Sequence, residues 1–200
     1  MPLLSFLKRI IFKLNFSKCK IDGILIIEPK AYSDIRGVFL ECFQNLRYSN
    51  IGINDVFVQE NYSRSFKNVL RGMHYQIKRP QSQILTVIQG SIFDVCVDLR
   101  PHSATFRTWF GIELSDRGVR QIYMPPGVAH GYCVLSESAD LHYKVSQIYD
   151  VDDEAGLKWN DVEIDIRWPL NNPIIAERDS KFPSLKEIKE ERLPHSYSKE

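Results

Sequence analysis

The chain has 200 residues, which is enough for one full-sized domain and too short for two. Its 44% hydrophobic and 26% charged residues are typical of a globular protein and exclude a disordered one. Lys and Arg (26) balance Asp and Glu (25) to a net charge of +1, so the chain lacks the basic excess of a general nucleic-acid binder. Any charged ligand must therefore be bound by a local cluster of charges.

Residues 1–20 are predicted to be a basic amphipathic extension. Apolar residues recur at helical spacing from Leu4 to Leu14, and Lys8, Arg9 and Lys13 interrupt the run. Because of these charges, neither a membrane span nor a signal peptide is predicted. Two interpretations stay open. The extension is either a short helix that packs on a neighbouring subunit or frays, which we favour, or an interfacial helix on an anionic membrane surface.

Residues 21–185 are predicted to form one all-β domain, because short β-branched or aromatic runs alternate with turn residues and no long helical period interrupts them. This pattern indicates an antiparallel sandwich or barrel. Residues 186–200 are predicted to be a charged tail, a short helix followed by a loose end. The predicted strands are Ile24–Ile27, Val56–Gln59, Ile84–Ile88, Ile92–Leu99, Thr108–Leu114, Gln121–Met124, Gly131–Leu135 and Asp140–Gln147.

The four cysteines are Cys19, Cys42, Cys96 and Cys133. They are widely separated and include no C-x-x-C pair, so the spacing of a zinc site or a thioredoxin-like motif is absent. We therefore predict free thiols in a reducing compartment, and a cytoplasmic protein.

Three segments concentrate polar residues. The first, Asp34–Glu41, by itself favours a surface turn with a salt bridge. The second comprises Gln59–Ser63 and the run Val69–Gln76, in which Arg71 and His74 lie within four residues of each other in apolar sequence. A lone His is more often structural, but this pairing raises the expectation of a functional site.

The third segment contains Pro-x-Gly-x-x-His at Pro125–His130, which resembles the second motif of the cupin barrels, where a turn delivers a His to the barrel interior. A metal-binding cupin also needs an H-x-H and a Glu in its first motif. The corresponding region here offers only His74, so one His from each motif leaves too few ligands and no metal is predicted.

Together these residues resemble the nucleotide-sugar epimerase family typified by dTDP-4-dehydrorhamnose 3,5-epimerase. Any one of the shared strings is weak, but eight in order between residues 22 and 185 are specific. They are D-x-R-G-x-F-x-E at Asp34–Glu41, Q-x-N-x-S at Gln59–Ser63, L-R-G-x-H-Y-Q at Leu70–Gln76, F-D-V-x-V-D-L-R at Phe93–Arg100, P-x-G-x-x-H-G at Pro125–Gly131, Y-K at Tyr143–Lys144, W-N-D at Trp159–Asp161 and W-P at Trp168–Pro169.

The resemblance implies a cupin-type jelly-roll barrel, a homodimer, and no metal or organic cofactor, and short peripheral helices are expected at the N- and C-termini. The implied substrate is a nucleotide-diphosphate 4-keto-6-deoxy sugar, inverted at C3, C5 or both through an enolate. The resemblance makes His74 the base, Asp179 the carboxylate that orients it and Tyr143 the acid on the opposite face. The implied substrate-binding residues are Arg36, Phe39, Glu41, Gln59, Asn61, Arg71, Gln83, His130, Glu154 and Arg178.

These residue types suit that chemistry. Removal of a proton beside a ketone requires a base at contact distance with a pKa near neutrality, and inversion requires a donor on the other face. A diphosphate is bound well by guanidinium groups, so Arg36, Arg71 and Arg178 are expected to converge on one barrel mouth.

The chain departs from the family at one position. The family places a Lys just before the strand that follows the H-Y-Q string, and this Lys is thought to stabilise the enolate oxygen. Gln83 occupies its position in a connection one residue shorter, and an amide brings a hydrogen bond but no charge. Lys78 and Arg79 are candidates to supply that charge. The change also leaves open an altered substrate or inversion at a single carbon.

Two alternatives to the epimerase remain. One is a ketoisomerase on a related cupin barrel, which would move the carbonyl from C4 to C3. The other is a non-catalytic barrel that binds a nucleotide sugar. The replacement of the family's Lys by Gln83 is the reason to consider it.

Overall fold

The structure, a computed structural model, describes residues 14–194, and the predicted helix before residue 14 lies outside them. Two antiparallel sheets face each other, and a separate hairpin accompanies them. The first sheet has the order β1 (Asn15–Lys18), β2 (Leu25–Glu28), β10 (Gln121–Met124), β7 (Gln83–Gln89), β12 (Ser138–Val145) and β5 (Gln59–Phe66). The second has the order β13 (Glu154–Gly156), β6 (Val69–Gln76), β11 (Val128–Val134), β8 (Ser91–Asp98) and β9 (Trp109–Ser115), with β14 (Ile174–Ile175) paired in parallel to β6.

The hairpin consists of β3 (Ala31–Asp34) and β4 (Gly37–Leu40), which pair with each other. Helical structure is limited in the described residues to α1 (Asn45–Ser49), α2 (Glu177–Ser180) and two 3-10 turns at Leu185–Glu187 and Glu190–Arg192. No helix between residues 14 and 194 is long and apolar enough to cross a membrane.

The main core lies between the two sheets. Leu85, Ile122 and Leu141 of the first sheet pack in one buried cluster with Ile92 and Val134 of the second. Each of these side chains is at most 1% exposed, and burial of such a side chain contributes about 2 kcal/mol. The facing antiparallel sheets confirm the all-β prediction.

Most predicted strands are confirmed within one to three residues at each end, and Gln121–Met124 is reproduced. The predicted strand Val56–Gln59 is wrong, since β5 begins at Gln59 and runs to Phe66. Val56 and Val58 are exposed, whereas the inward-facing residues of β5 are polar. The apolar residues Val56 and Val58 therefore precede the strand and do not belong to it.

The ends of the described chain belong to the barrel more than the sequence indicates. Asn15–Lys18, which belong to the predicted extension 1–20, pair with Leu25–Glu28. At the other end, Leu193 is buried in the second cluster and the Tyr75 hydroxyl donates to the carbonyl of Arg192. The prediction of a loose tail is therefore wrong as far as residue 194, because Leu193 packs in the core.

All four cysteines are free, as predicted. Cys96 and Cys133 are buried, and burial raises the pKa of the Cys133 thiol to about 12. These two thiols are therefore protonated and unreactive at neutral pH.

Candidate active site

A cavity of about 350 Å³ lies between the two sheets and receives side chains from both. Its size is within the range of small-molecule sites. Nine of the predicted site residues line it: His74, Tyr143, Gln59, Asn61, Arg71, Gln83, His130, Glu154 and Arg178.

Two glycines allow β6 and β11 to approach closely beneath the cavity. Gly72 has φ of +123°, and a Cβ there would lie 2.5 Å from the Cα of Gly131. A side chain at either position would separate the strands, which place His74 opposite His130. The glycines of the L-R-G and H-G strings therefore position the two histidines.

His74 pairs with the buried carboxylate of Asp179. The His74 Nε2 atom lies 3.0 Å from Oδ1 of Asp179, whose side chain is 2% exposed. The other carboxylate oxygen of Asp179 accepts the N–H of Gly72 at 3.1 Å, which ties α2 to β6. The Nη2 atom of Arg178 lies 3.2 Å from the same Nε2 atom, so a carboxylate and a guanidinium together fix the position of the imidazole.

The Asp179 carboxylate is held ionised. Burial by itself would raise its pKa, but the hydrogen bond and charge of His74, with the Gly72 N–H and Arg178, lower that pKa from 3.8 to about 2. Asp179 is therefore an anion whenever the protein is near neutral pH, and it can stabilise a protonated His74.

The lowered pKa of Asp179 predicts a pH-dependent contribution to stability. It is present above 3.8, the ordinary pKa, and is lost as pH falls through about 2. One pKa unit corresponds to about 1.4 kcal/mol, so we expect about 2 kcal/mol at neutral pH. Urea unfolding of Asp179→Asn against wild type should show this difference at pH 7, shrinking below pH 4. An undiminished difference at pH 2 would contradict the assignment.

The His74 ring is also fixed by packing. Phe182 contacts it edge-on, with 5.5 Å between ring centroids. Gly156 pairs with His74 across β13 and β6, and a Cβ on Gly156 would lie 2.3 Å from the Phe182 ring. The absence of a side chain at Gly156 thus lets Phe182 hold the imidazole in place.

Tyr143 faces the cavity from the other sheet. It lies on β12, whereas His74 lies on β6, so a substrate between the sheets would have one group on each side. Burial and the neighbouring Tyr132 raise the pKa of Tyr143, and Arg71 opposes them. The phenol is therefore protonated at neutral pH and available as an acid.

The polar end of the cavity contains two arginines. The Nε atom of Arg71 donates to Ser65 Oγ at 2.9 Å, and Arg178 pairs with Glu154 at 2.5 Å and with Asp179 at 3.2 Å. The guanidinium groups are therefore oriented before any ligand binds, as anion recognition requires.

Several cavity-lining residues were not predicted from the sequence. Tyr149 is half-exposed at the cavity, donates to Glu154 at 3.0 Å, and its own N–H donates to Gln59. Tyr132 is buried and its hydroxyl lies 3.2 Å from the hydroxyl oxygens of both Ser63 and Ser65. Neither Tyr149 nor Tyr132 stands in one of the motif strings, so only the fold brings these two side chains to the site.

His130 is paired rather than free. Its Nε2 atom lies 2.7 Å from the fully buried Asp94 carboxylate. Over residues 14–194, no group of three or more His, Cys, Asp or Glu side chains is placed to hold a metal ion.

Gln83 lines the cavity at the start of β7, but the loop before it supplies no charge there. The N–H groups of Lys78 and Arg79 donate to the Asp153 carboxylate, and the Arg79 side chain pairs with Asp150. Neither cation lines the cavity, so the expectation that one of them replaces the family's Lys is wrong.

Arg36, Phe39 and Glu41 are not brought into the cavity of this chain. Arg36 is exposed and paired with Asp34, as the surface-turn interpretation predicts, and Phe39 is 70% exposed. Glu41 pairs with Arg47. The predicted convergence of three arginines is therefore corrected to two within the chain, because Arg36 lies at the turn of the separate β3–β4 hairpin.

Comparison with known proteins places this geometry in a family. Residues 18–187 match the family model described as dTDP-4-dehydrorhamnose 3,5-epimerase. The enzyme of that name from Methanothermobacter thermautotrophicus is 42% identical over 86% of this chain and 95% of its own. The dTDP-4-dehydrorhamnose 3-epimerase of Streptomyces niveus is 36% identical over 89% and 87%.

A solved structure agrees with the sequence matches. The dTDP-6-deoxy-D-glucose-3,5-epimerase of Legionella pneumophila Philadelphia 1, crystallised with dTDP-4-keto-L-rhamnose, superposes with a TM-score of 0.89 at 42% identity, covering 92% of this chain and all of its own. The fold implied by the sequence resemblance is thereby confirmed. The chain belongs to the dTDP-4-dehydrorhamnose 3,5-epimerase family.

Proposed function

We propose that this protein is an epimerase that inverts C3, C5 or both of a nucleotide-diphosphate 4-keto-6-deoxy sugar. The observation that carries the proposal is the position of the paired base His74–Asp179 and the phenol Tyr143 on facing sheets of one cavity. Inversion requires a base and an acid on opposite faces of the carbon, and this cavity has them.

In the proposed mechanism, the His74 imidazole removes the proton beside the ketone, and the Asp179 carboxylate stabilises the imidazolium that forms. The electron pair of the broken C–H bond moves towards the ketone oxygen and gives an enolate. Tyr143 then donates its proton to the same carbon from the other side. Proton exchange with solvent through the cavity mouth restores both groups.

Arg71 and Arg178 support a diphosphate ligand at the polar end of the cavity, because both guanidinium groups are oriented and face it. Gln59 and Asn61 add amide groups beside them, and Tyr149 offers an aromatic face for a base. The Legionella relative binds a dTDP-linked sugar, which makes a dTDP sugar the first substrate to test.

Product analysis by NMR separates the three candidate functions. After incubation with dTDP-4-keto-6-deoxy-D-glucose, the epimerase yields a changed configuration at C3 or C5 with the carbonyl still at C4. A carbonyl at C3 would indicate the ketoisomerase instead. Binding without a change in the sugar, for this and other nucleotide-linked 4-keto sugars, would indicate the non-catalytic barrel.

We also propose a homodimer. The β3–β4 hairpin exposes Tyr32, Val38 and Phe39, and its strands pair only with each other among the described strands. It carries Arg36 and Phe39, two of the implied substrate-binding residues that are missing from this chain's cavity, and Glu41 follows directly after it. A second copy that receives the hairpin at its own cavity mouth accounts for both facts. The four free cysteines support a cytoplasmic location.

Co-expression of two variants tests this arrangement. We expect Arg36→Ala and His74→Ala each to be impaired alone, because Arg36 would act on the partner's cavity. A heterodimer would combine one doubly altered site with one wild-type site, so a mixed population should regain about a quarter of wild-type kcat/KM. Light scattering gives the mass. A monomer, or a mixture no more active than the two variants, would contradict the arrangement.

A further inference from the structure

Gln76 is a buried amide without a hydrogen-bond partner at the wall of the cavity. Its side chain is 6% exposed, and neither Nε2 nor Oε1 has a partner among the described residues. A buried amide left unpaired is destabilising, and native structures satisfy the great majority of such groups. An unpaired amide at the wall of a cavity is therefore explained most simply by a ligand that pairs with it.

The position of Gln76 relative to the base is fixed by the strand. Gln76 follows His74 by two residues on β6, so both side chains are on the same face, about 7 Å apart along the strand. A proton that His74 can remove lies on a carbon next to the ketone. The ketone oxygen is then within reach of the Gln76 side chain, two residues along the strand from the base.

Gln83 is at the same end of the barrel. The six-residue connection 77–82 joins the end of β6 to the start of β7, and Gln83 pairs with Val145, two residues beyond Tyr143 on β12. The cavity thus has two successive layers. His74 and Tyr143 form the first, and the two amides of Gln76 and Gln83 form the second.

No positive charge without a partner reaches that second layer from the described residues around it. Lys78 and Arg79 do not line the cavity, and the Arg79 guanidinium pairs with Asp150. Lys144 pairs with Glu60 outside the cavity. Arg71 is bound to Ser65. Arg178 lies nearer, with its Nη2 atom 3.2 Å from His74 Nε2, but its charge is offset by two carboxylates, Asp179 and Glu154, the second of which stands opposite Gln76 on β13. Stabilisation of an oxyanion in this layer must therefore come from hydrogen bonds.

We propose that Gln76 is a catalytic residue whose Nε2–H group, together with Gln83, donates a hydrogen bond to the ketone oxygen and to the enolate that develops from it. This inference rests on the proposed function. A ketone flanked by a hydroxyl presents an acceptor beside a donor, and a carboxamide presents the complementary donor and acceptor. Gln76 Oε1 accepts the hydrogen bond of that neighbouring hydroxyl. The pair of neutral amides takes the place of one ammonium group.

Gln76→Met and Gln76→Glu test the proposal. Met keeps the length and removes both hydrogen-bonding atoms, whereas Glu keeps the shape, loses the donor and adds a negative charge beside the enolate. Loss of one oxyanion donor lowers kcat by about 10²- to 10³-fold, and we expect Gln76→Met at the lower end and Gln76→Glu at the upper end. Affinity for dTDP alone should stay within about threefold of wild type, because Gln76 contacts the sugar.

Gln121→Met is the matched control. Gln121 is also buried, but its amide is bonded to Thr86, Tyr48 and the Cys42 carbonyl. We expect this control to lower the unfolding midpoint and keep the kcat of the folded protein. Gln76→Met should do the reverse and keep or raise the midpoint, because it removes an unpaired amide.

Wild-type protein that exchanges no α-proton contradicts the proposed function and this inference with it. Wild-type exchange that Gln76→Met matches within about threefold contradicts the inference alone. A fall in the unfolding midpoint of Gln76→Met equal to that of Gln121→Met would also overturn it, since the amide would then be structural. Loss of kcat in both Gln76 variants, with dTDP affinity and the midpoint of Gln76→Met retained, supports it.

Discussion

His74→Ala is expected to lower the rate of α-proton exchange from a nucleotide-linked 4-keto sugar by about 10³-fold. The imidazole is the group that Asp179 and Phe182 hold in position at the cavity that Tyr143 also lines. The measurement is the initial rate of deuterium uptake in D₂O, followed by NMR. Affinity for dTDP should change little, because the nucleotide end of the cavity is formed by other residues.

His102→Ala is the control for this variant, since His102 is exposed and does not line the cavity. It should exchange at the wild-type rate. Exchange by His74→Ala within tenfold of wild type would show that another group is the base, with His130 as the next candidate because it too pairs with a buried carboxylate.

Tyr143→Phe is expected to separate exchange from inversion. The base on the opposite sheet is intact, so His74 can still remove the α-proton and return a solvent-derived deuteron to the same face. The donor for the other face is gone, and inversion should fall by about 10²- to 10³-fold. NMR of the recovered sugar in D₂O reports both quantities at once, deuterium content and configuration.

Tyr62→Phe is the matched control, because Tyr62 lies on the neighbouring β5 but is 62% exposed. It should retain both exchange and inversion. If Tyr143→Phe inverts the carbon at the wild-type rate, the donor is a different group, and the buried Tyr132 beside it is the first to examine.

The sequence predicts the sheets well wherever apolar side chains form the strands. Gln121–Met124 and the strands around Ile84 and Ile92 have hydrophobic inner faces, and the structure confirms them. The strand prediction fails at β5, whose inward-facing residues include Gln59 and Asn61. Those residues line the cavity, so the demands of the site remove the hydrophobic pattern on which strand prediction rests.

The candidate site, like the strands, is predicted from the sequence only in part. The family resemblance implies roles for His74, Tyr143 and Asp179. The fold brings the first two to one cavity and Asp179 to its wall, against His74. The pattern of Asp34–Glu41 by itself favours the surface turn that the structure shows at Arg36, whereas the resemblance leads to the expectation of Arg36 at the barrel mouth. The sequence cannot reveal an unpaired amide such as Gln76, since hydrogen-bond satisfaction is a property of the folded surroundings.

Deuterium incorporation by the wild-type protein tests the central claim most directly. The protein is incubated in D₂O with dTDP-4-keto-6-deoxy-D-glucose, and then with the same sugar on other nucleoside diphosphates. The base, its carboxylate and the facing phenol predict deuterium at C3, C5 or both, with inverted configuration at each labelled carbon. Absence of deuterium at both carbons with every one of these sugars would contradict the account.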